Sequence, residues 1–149
     1  MTSATVRQAV LADVESIAPL FDGYRQFYET SSDLNGARQF LTERFNHGES
    51  VVFIAEYKGT PVGFTQLYPS FSSVSLRRVF VLNDLFVVSS HRREGVGAML
   101  LQAAVEYSRS LGAVRVSLNT DIKNTSAQQF YEAEGWRQDR EYYAFHFKL

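Results

Sequence analysis

Residues Val79–Leu101, which read VFVLNDLFVVSSHRREGVGAMLL, contain the most informative pattern of this chain. The stretch Val79–Val88 is rich in β-branched and aromatic residues, which predicts a buried strand. Beyond Gly97, apolar residues recur at helical spacing, which predicts a helix. The segment Arg92–Gly97 between them is basic and contains two glycines. This arrangement is typical of a pyrophosphate site, because glycine lets the backbone approach the anion and the helix dipole favours its charge.

The glycine spacing excludes two common phosphate-binding motifs. A dinucleotide fingerprint has a third glycine three residues after Gly97, where this chain has Leu100. A P-loop continues with lysine and serine or threonine, whereas Gly97 is followed by Ala98-Met99. The remaining pattern, Arg-x-x-Gly-x-Gly after an apolar strand, resembles the coenzyme A loop of the GNAT family of N-acetyltransferases. The alternative is an ordinary strand–turn–helix connection with surface arginines.

Composition narrows the class of protein. With 149 residues, 45% of them hydrophobic and 21% charged, the chain suits one globular domain with a substantial core. A formal net charge of −1 gives no general attraction to nucleic acid. Cysteine is absent, which excludes a cysteine nucleophile, and the three histidines lack metal-ligand spacing. No apolar run suits a signal peptide or a bilayer span, so we expect a cytoplasmic protein without metal, nucleic-acid or membrane partners.

Hydrophobic periodicity predicts four helices and seven strands. The first helix is expected to begin after Asp13 as its cap and to end near Glu29, and the second to cover Gly36–Asn46. The third is expected to begin at the glycine loop, Arg92–Gly97, and to end at Gly112, and the fourth to cover Asn124–Glu134. The strands are expected over Thr5–Val10, Ser50–Tyr57, Val62–Tyr68, Val79–Val88, Val114–Thr120, Trp136–Arg137 and Tyr142–Phe147, with loops at Thr30–Asn35 and Ser70–Ser75.

Two local signals refine this order. Lys58-Gly59 predicts a tight hairpin turn. Pro19 lies inside the first predicted helix and cannot donate a hydrogen bond to the carbonyl of Glu15. We therefore expect a kink or a break in that helix.

The order of elements, β-α-α-β-β-β-α-β-α-β-β, is also similar to that of the GNAT family, over essentially the whole chain. Three stretches resemble its histone and polyamine acetyltransferase branch, namely GYRQFYE (Gly23–Glu29), NDLFV (Asn83–Val87) and NTDIKNTSAQQFY (Asn119–Tyr131). The resemblance implies an α/β (α+β) GNAT fold in a single domain, residues 1–149. Its centre would be a mixed, twisted sheet with a splayed central strand pair and helices on both faces.

The resemblance also implies acetyl-CoA as the cofactor. The splayed strand would pair its backbone with the pantetheine arm, and the glycine loop would hold the pyrophosphate. The implied cofactor-binding residues are Leu85, Phe86, Val87, Arg92, Arg93, Glu94, Gly95, Val96, Gly97, Ala98, Asn124 and Ser126. Arg92 holds the motif position, so we favour it over Arg93 for the pyrophosphate contact. Asn124 and Ser126 are equally suited to capping the helix that they begin.

Acetyl transfer to an amine requires a base for the amine and an acid for the departing thiolate. The resemblance places the phenol of Tyr131 near the thioester sulfur, although Tyr131 also fits a half-buried position on an amphipathic helix. Asn83 and Asp84 interrupt an apolar strand, which is costly unless they are paired or hydrated. Some relatives have a glutamate base at the position of Asn83. Because asparagine cannot accept a proton, the base role moves to Asp84, to Glu29 or to a water chain.

The acceptor site is the least determined part of the sequence. Tyr24, Tyr28 and Glu29, with Asp33 and Asp84, could form an aromatic and acidic mouth for a cationic amine. The two tyrosines also fit the core-facing stripe of their helix. A polyamine, a lysine-bearing peptide, an amino acid and an aminoglycoside all stay open as acceptors.

Two other functions are compatible with the sequence. One is a coenzyme A-binding module with little or no turnover, which the missing glutamate at Asn83 favours and Tyr131 opposes. The other is a structural or interaction protein, suggested by the aromatic residues of Tyr142–Phe147. That stretch alternates as an edge strand does, and together with the resemblance it leads us to expect a homodimer.

Overall fold

The computed structural model describes residues 3–149, and the chain divides after Leu118 into two compact units. Over the described residues the strands are β1 (Thr5–Gln8), β2 (Val51–Tyr57), β3 (Thr60–Ser72), β4 (Arg77–Val87) and β5 (Val116–Ser117). The α-helices are α1 (Val14–Phe27), α2 (Leu34–Asn46), α3 (Val96–Ser110) and α4 (Thr125–Ala133), and short 3₁₀ helices cover Leu11–Asp13 and Ser89–His91. The expectation of a single domain stays a prediction.

The five strands form one sheet in chain order, in which β1 to β4 are antiparallel and β5 is parallel to β4. The sheet is therefore mixed, as predicted. Between β2 and β3, Lys58 and Gly59 have φ angles of 50° and 78°, as a two-residue hairpin turn requires. β5 pairs with β4 only at Phe80 and Val81, although β4 continues to Val87. This separation is the splayed central pair that the resemblance implied.

Helices cover both faces of the sheet. On one face, α1 and α2 pack against β2 and β3 around Phe21, Leu41 and Phe64. On the other face, the ring of Tyr107 on α3 lies 5.7 Å from that of Phe53 and 5.8 Å from that of Phe80. Burial of apolar surface on both faces is the main contribution that stabilises the packing of the helices on the sheet.

The pairing of β3 with β4 contains one extra residue, Asn83. Gln66 pairs with Asp84, but the next residue of β3, Leu67, pairs with Leu82. Two residues of β4 therefore correspond to one step on β3, which is a β-bulge. The bulge lies where the polar pair Asn83-Asp84 interrupts the strand in the sequence.

The bulge changes which face of the sheet the side chains of β4 occupy. Phe80 and Phe86 are six residues apart, and a regular strand would place both on one face. Instead Phe80 contacts Tyr107 of α3, whereas Phe86 packs against the core beneath α1 and α2. Because Asp84 is two residues from Phe86, it also faces α1.

Two expectations for the first helix are not met in full. α1 continues through Pro19, so the predicted break is not formed, and the alternative of a kink stays a prediction. Burial of Ile17 and Ala18, both fully enclosed, offsets the missing hydrogen bond because packing contributes more to a protein helix than one backbone bond does. Asp13 precedes α1, but its carboxylate accepts hydrogen bonds from Arg7 and from the backbone N–H of Val10 rather than from the helix.

Several strand boundaries also differ from the prediction. The predicted loop Ser70–Ser75 is partly strand, because antiparallel pairing with β4 continues to Ser72 beyond the apolar residues. The strand predicted over Val114–Thr120 is reduced to Val116–Ser117. Residues 136–149 form no strand, so the predicted Trp136–Arg137 and Tyr142–Phe147 strands are wrong. Their alternation is a local pattern, whereas a strand forms only where a second strand accepts its backbone hydrogen bonds.

Candidate active site

A cavity of about 400 Å³ lies between α1, α2, β3 and β4 in the first unit. Four aromatic side chains contribute to its wall, and two carboxylates and one guanidinium contribute charge. The lining residues are Phe21, Tyr24, Arg25, Asp33, Gly36, Ala37, Phe40, Tyr68, Asn83 and Asp84. This composition suits a small ligand that has an apolar body and a positive charge.

The carboxylate of Asp84 is the most deeply buried charged group of the cavity, with 1% of the residue exposed. The side-chain amide of Gln66 donates to Oδ2 at 2.5 Å, and that of Asn83 donates to Oδ1 at 2.8 Å. Burial raises the pKa of Asp84 above its ordinary value, while the two amides and the nearby phenol of Tyr24 act in the opposite direction. The site therefore holds a carboxylate with increased proton affinity.

Two tyrosines flank this carboxylate. The phenol of Tyr24 donates to the backbone carbonyl of Asn83 at 2.9 Å, so α1 is tied to the bulge. Tyr68 is also part of the cavity wall. Burial, and next the negative charge of Asp84, raise the pKa of both phenols, which therefore stay protonated at neutral pH.

The cavity collects some of the predicted acceptor residues and leaves out others. Tyr24, Asp33 and Asp84 line it, as the sequence suggested. Asp33 also caps α2, because its Oδ1 accepts the backbone N–H of Gly36 at 2.9 Å. Tyr28 is exposed, with its ring 5.1 Å from that of Tyr24, and Glu29 follows in a left-handed turn at φ 63°. Neither Tyr28 nor Glu29 lines the cavity.

The sequence reading missed Gln66 and Tyr68. Both alternate with apolar residues on β3 and share a face with Phe64, so strict period-two counting would have found them. Gln66 is a polar residue within the apolar run Val62–Leu67, and it is fully buried. A buried polar residue of this kind requires a partner, and the partner is Asp84.

The glycine loop leads directly into α3. Gly95 precedes the helix with a φ of 84°, a left-handed conformation that favours glycine, and Arg93 has a φ of 64°. The predicted phosphate-binding residues Val96, Gly97 and Ala98 form the first turn of α3. Backbone N–H groups in the first turn of a helix lack partners inside the helix and attract anions.

The other loop residues have defined contacts. Arg92 donates from Nε to the carbonyl of Val87 at 2.7 Å, and its guanidinium lies 5.7 Å from the ring centre of Phe86. These contacts fix Arg92 beside the end of β4. The carboxylate oxygen Oε1 of Glu94 lies 3.3 Å from Nδ1 of His91.

Coenzyme A fits the local features of β4 and its loop. Leu85, Phe86 and Val87 pair with β3 on one side and have no β5 partner on the other. An open strand edge of this kind can pair with the amides of an extended ligand. At Gly95, open space surrounds the position of a Cβ atom, so a ligand can approach the backbone there.

The second unit contains the remaining predicted site residues. Asn124 caps α4 by accepting the backbone N–H of Ala127 at 3.1 Å, and the hydroxyl of Ser126 donates to the same Asn124 oxygen at 3.2 Å. The capping role is therefore confirmed for Asn124, whereas Ser126 lies in the first turn of α4 and donates to the capping side chain. Tyr131 on α4 is half-buried, and its ring centre lies 5.5 Å from that of Phe130 and 6.2 Å from that of Trp136.

Residues 3–149 contain neither a cluster suited to a metal ion nor a helix suited to spanning a membrane. No group of three or more histidine, aspartate or glutamate side chains there is arranged to hold a metal ion. None of the helices in this part of the chain combines the length and apolar character that crossing a bilayer requires.

Strand β4 separates from its parallel neighbour β5, and a glycine then precedes helix α3. This is the architecture expected of an N-acetyltransferase. A model of the acetyltransferase (GNAT) family matches residues 17–136. YhfO of Bacillus subtilis (strain 168), an uncharacterised N-acetyltransferase, is 49% identical over 134 residues, which are 90% of each chain. A probable acetyltransferase of Haemophilus influenzae is 33% identical over 96 residues, 64% of this chain and 66% of that one. The chain belongs to the GNAT family.

Solved structures agree with this assignment. The crystal structure of a probable acetyltransferase has a TM-score of 0.93 and 40% identity, and covers 97% of both chains. The aminoglycoside N-acetyltransferase AAC(6')-Iy, solved with CoA, has a TM-score of 0.82 at 19% identity, over 100% of this chain and 97% of that one. The second similarity concerns the fold alone. The fold is thus the GNAT fold, and the protein is an acetyltransferase of the GNAT type.

Proposed function

We propose that the protein is an acetyl-CoA-dependent N-acetyltransferase that transfers the acetyl group directly to a primary amine in a ternary complex. The observation that supports this function best is the Asp84 carboxylate, which is buried, has a raised pKa and lines an aromatic cavity. An exposed carboxylate can attract a cationic amine. A buried one with a raised pKa can also accept its proton.

The proton is the main obstacle in this reaction. A primary amine with a pKa near ~10.4 is uncharged in only about one molecule in two thousand at pH 7. In our proposal, ionised Asp84 attracts the ammonium group into a cavity whose wall includes the aromatic ring of Tyr24. Asp84 accepts one proton from the ammonium group, and the uncharged nitrogen then attacks the acetyl carbonyl carbon. The nitrogen loses its second proton as the amide forms and the C–S bond breaks, and the departing thiolate takes up a proton. The raised pKa of Asp84 narrows the difference from the pKa of the amine, which makes the transfer to Asp84 easier.

The acetyl thioester supplies an activated carbonyl carbon. We propose that the backbone of 85–87 and the first turn of α3 bind the donor, with Arg92 contributing positive charge for the pyrophosphate. The role of Tyr131 as the acid for the departing thiolate rests on the sequence resemblance.

The acceptor that we favour is a cationic primary amine of the kind that polyamines and lysine side chains carry. The acidic and aromatic lining of the cavity supports this choice. Membership of the histone and polyamine branch itself rests on the three sequence stretches named above.

An amine panel tests the proposal. Purified protein would be mixed with acetyl-CoA and with diamines, polyamines, amino acids, a lysine peptide and aminoglycosides, and thiol release would be followed alongside the mass of the acetylated product. Asp84→Asn should lower kcat/KM for the best acceptor by at least about a hundredfold, because proton transfer to a positioned base contributes that much. Asp13→Asn is the matched control, since Asp13 binds Arg7 away from the cavity.

The Asp84→Asn variant should remain folded. Burial raises the pKa of Asp84 in the folded protein above its value in the unfolded chain. The folded protein therefore becomes less stable as the pH rises through the pKa that Asp84 has in the folded state, because the buried charge is unfavourable. Removing that charge should therefore not lower the melting temperature at neutral pH. Acetyl-CoA binding without thiol release for any amine would instead support the binding module. Full activity in a folded Asp84→Asn variant would remove Asp84 from the mechanism.

A further inference from the structure

Gln66 on β3 is fully buried beneath α1, in a strand segment that is otherwise mostly apolar. Its Nε2 donates to Oδ2 of Asp84, while its Oε1 has no hydrogen-bond partner among the described residues. An unpaired buried carbonyl oxygen is costly, and an apolar residue of similar size would avoid that cost. The position thus sacrifices stability for a single contact with the Asp84 carboxylate.

The β-bulge creates this contact. Gln66 and Asp84 lie directly opposite each other on β3 and β4, immediately beside the extra residue Asn83. The amide of Asn83 donates to the other carboxylate oxygen of Asp84, and the hydroxyl of Thr65 donates to its backbone carbonyl at 2.8 Å. Each carboxylate oxygen of Asp84 therefore accepts an amide N–H, which limits the rotation of the side chain.

We propose that Gln66 is a positioning residue that orients the Asp84 carboxylate toward the acceptor cavity and stabilises its ionised form. The amide N–H of Gln66 stabilises the negative charge that burial disfavours. Without this bond the carboxylate would retain its proton to a higher pH and would rotate more freely. The importance of this role for acetyl transfer rests on the proposed base function of Asp84. The effect on its titration does not.

Other charged and titratable groups face the cavity beside Asp84, and they stay in place when Gln66 is replaced. Tyr24 and Arg25 face the cavity from α1, Asp33 faces it from the start of α2, and Tyr68 faces it from β3. Arg44 on α2 acts on Tyr68 rather than directly on the carboxylate. A change in the titration of Asp84 in a Gln66 variant therefore reports the missing amide.

The test is a ¹³C NMR titration of the Asp84 carboxyl carbon in the full chain, assigned with Asp84→Asn. The variant is Gln66→Leu, which keeps the volume and removes the donor. A hydrogen bond to a charged group has a strength equivalent to about one to two pKa units, so the pKa of Asp84 should rise by that amount. The control is Thr65→Val, which removes a buried hydrogen bond from the same pair of strands without touching the carboxylate.

Activity against pH gives a second readout. In Gln66→Leu the acid limb of kcat/KM should move to higher pH by the same shift, while the affinity for acetyl-CoA stays constant. A purely structural role would lower activity equally at all pH values and in Thr65→Val as well. If the parent acetylates no amine, the proposed function fails, but the NMR titration still decides the role of Gln66. An Asp84 titration that is the same in the parent and Gln66→Leu, or absent from both, would overturn it.

Discussion

The pKa values of two buried carboxylates, Asp22 and Asp84, shift in opposite directions, because hydrogen bonds dominate at Asp22 and burial dominates at Asp84. Asp22 accepts the backbone N–H of Asp33 at 2.8 Å and the hydroxyl of Ser32 at 2.7 Å, and these bonds lower its pKa. Asp84 accepts two side-chain amides, but burial outweighs them and its pKa rises. Asp22 thus secures the loop before α2, whereas Asp84 retains a proton affinity that catalysis can use.

Tyr131 offers the sharpest test of the acid step. If its phenol protonates the departing thiolate, Tyr131→Phe should lower kcat by at least ~10², equivalent to roughly 2.7 kcal/mol of barrier. The KM for the amine should change little, because the lost interaction belongs to the transition state. Steady-state kinetics with saturating acetyl-CoA would measure both constants.

The ring contacts of Tyr131 with Phe130 and Trp136 would remain in the Phe variant, so the fold of its helix should be unaffected. Tyr142→Phe, at an exposed position, is the matched control for loss of a phenol oxygen. A kcat for Tyr131→Phe within about threefold of the parent, less than ~0.7 kcal/mol, would assign the acid role to solvent.

The glycine loop and α3 were the elements that the sequence predicted best. Their signals are local, because glycine at Gly95 and apolar spacing after it dictate a left-handed turn followed by a helix. The contact between Gln66 and Asp84 was not predictable in the same way. It depends on which residue of β4 faces which residue of β3, and the extra residue Asn83 changes that register.

The N-terminus of α3 can be tested with Gly97→Asp. Gly97 is the second residue of α3, so the new carboxylate would lie beside the N–H groups that we expect to bind the pyrophosphate. Repulsion between the two anions should weaken acetyl-CoA binding at least about a hundredfold, or ~2.7 kcal/mol. A carboxylate in the first turn interacts favourably with the helix dipole, so the protein should remain folded. Calorimetry would measure the affinity.

Two variants serve as comparisons for Gly97→Asp. Gln102→Asp adds the same charge to an exposed position further along α3 and should leave the affinity within about threefold of the parent, below ~0.7 kcal/mol. Gly95→Ala strains a left-handed residue without adding charge, and it should weaken binding less than Gly97→Asp. Unchanged acetyl-CoA affinity in a folded Gly97→Asp protein would refute the assignment of the loop.

For the molecule as a whole, the sequence predicted the succession of helices and strands better than it predicted how strands pair. Hydrophobic periodicity identified β2, β3 and β4 because each buries one or both faces against helices. The same reasoning assigned strands to Trp136–Arg137 and Tyr142–Phe147, where the structure has none. Alternation reports which side chains could be buried together, but pairing depends on distant segments of the chain.

The homodimer was predicted from two observations, the family resemblance and an edge strand at the C-terminal end of the chain. The predicted edge strand is not formed, so the expectation now rests on the resemblance and on exposed apolar surface. In the C-terminal segment, residues 142–149, Tyr143 and Phe145 are 92% exposed and Phe147 is 90% exposed. Several large apolar side chains exposed along one short segment are typical of an interaction surface.

We therefore expect sedimentation of the full chain at micromolar concentration to give the mass of a homodimer across a range of salt concentrations. Salt should have little effect, because apolar burial rather than charge would hold the two copies together. Replacing Phe145 and Phe147 by glutamate should give a monomer, since each carboxylate would have to lose its water in the interface. Val74→Glu is the control, because Val74 is 98% exposed in the β3–β4 turn. A monomeric parent would contradict the expectation, and a dimer that survives both glutamates would place the interface elsewhere on the chain.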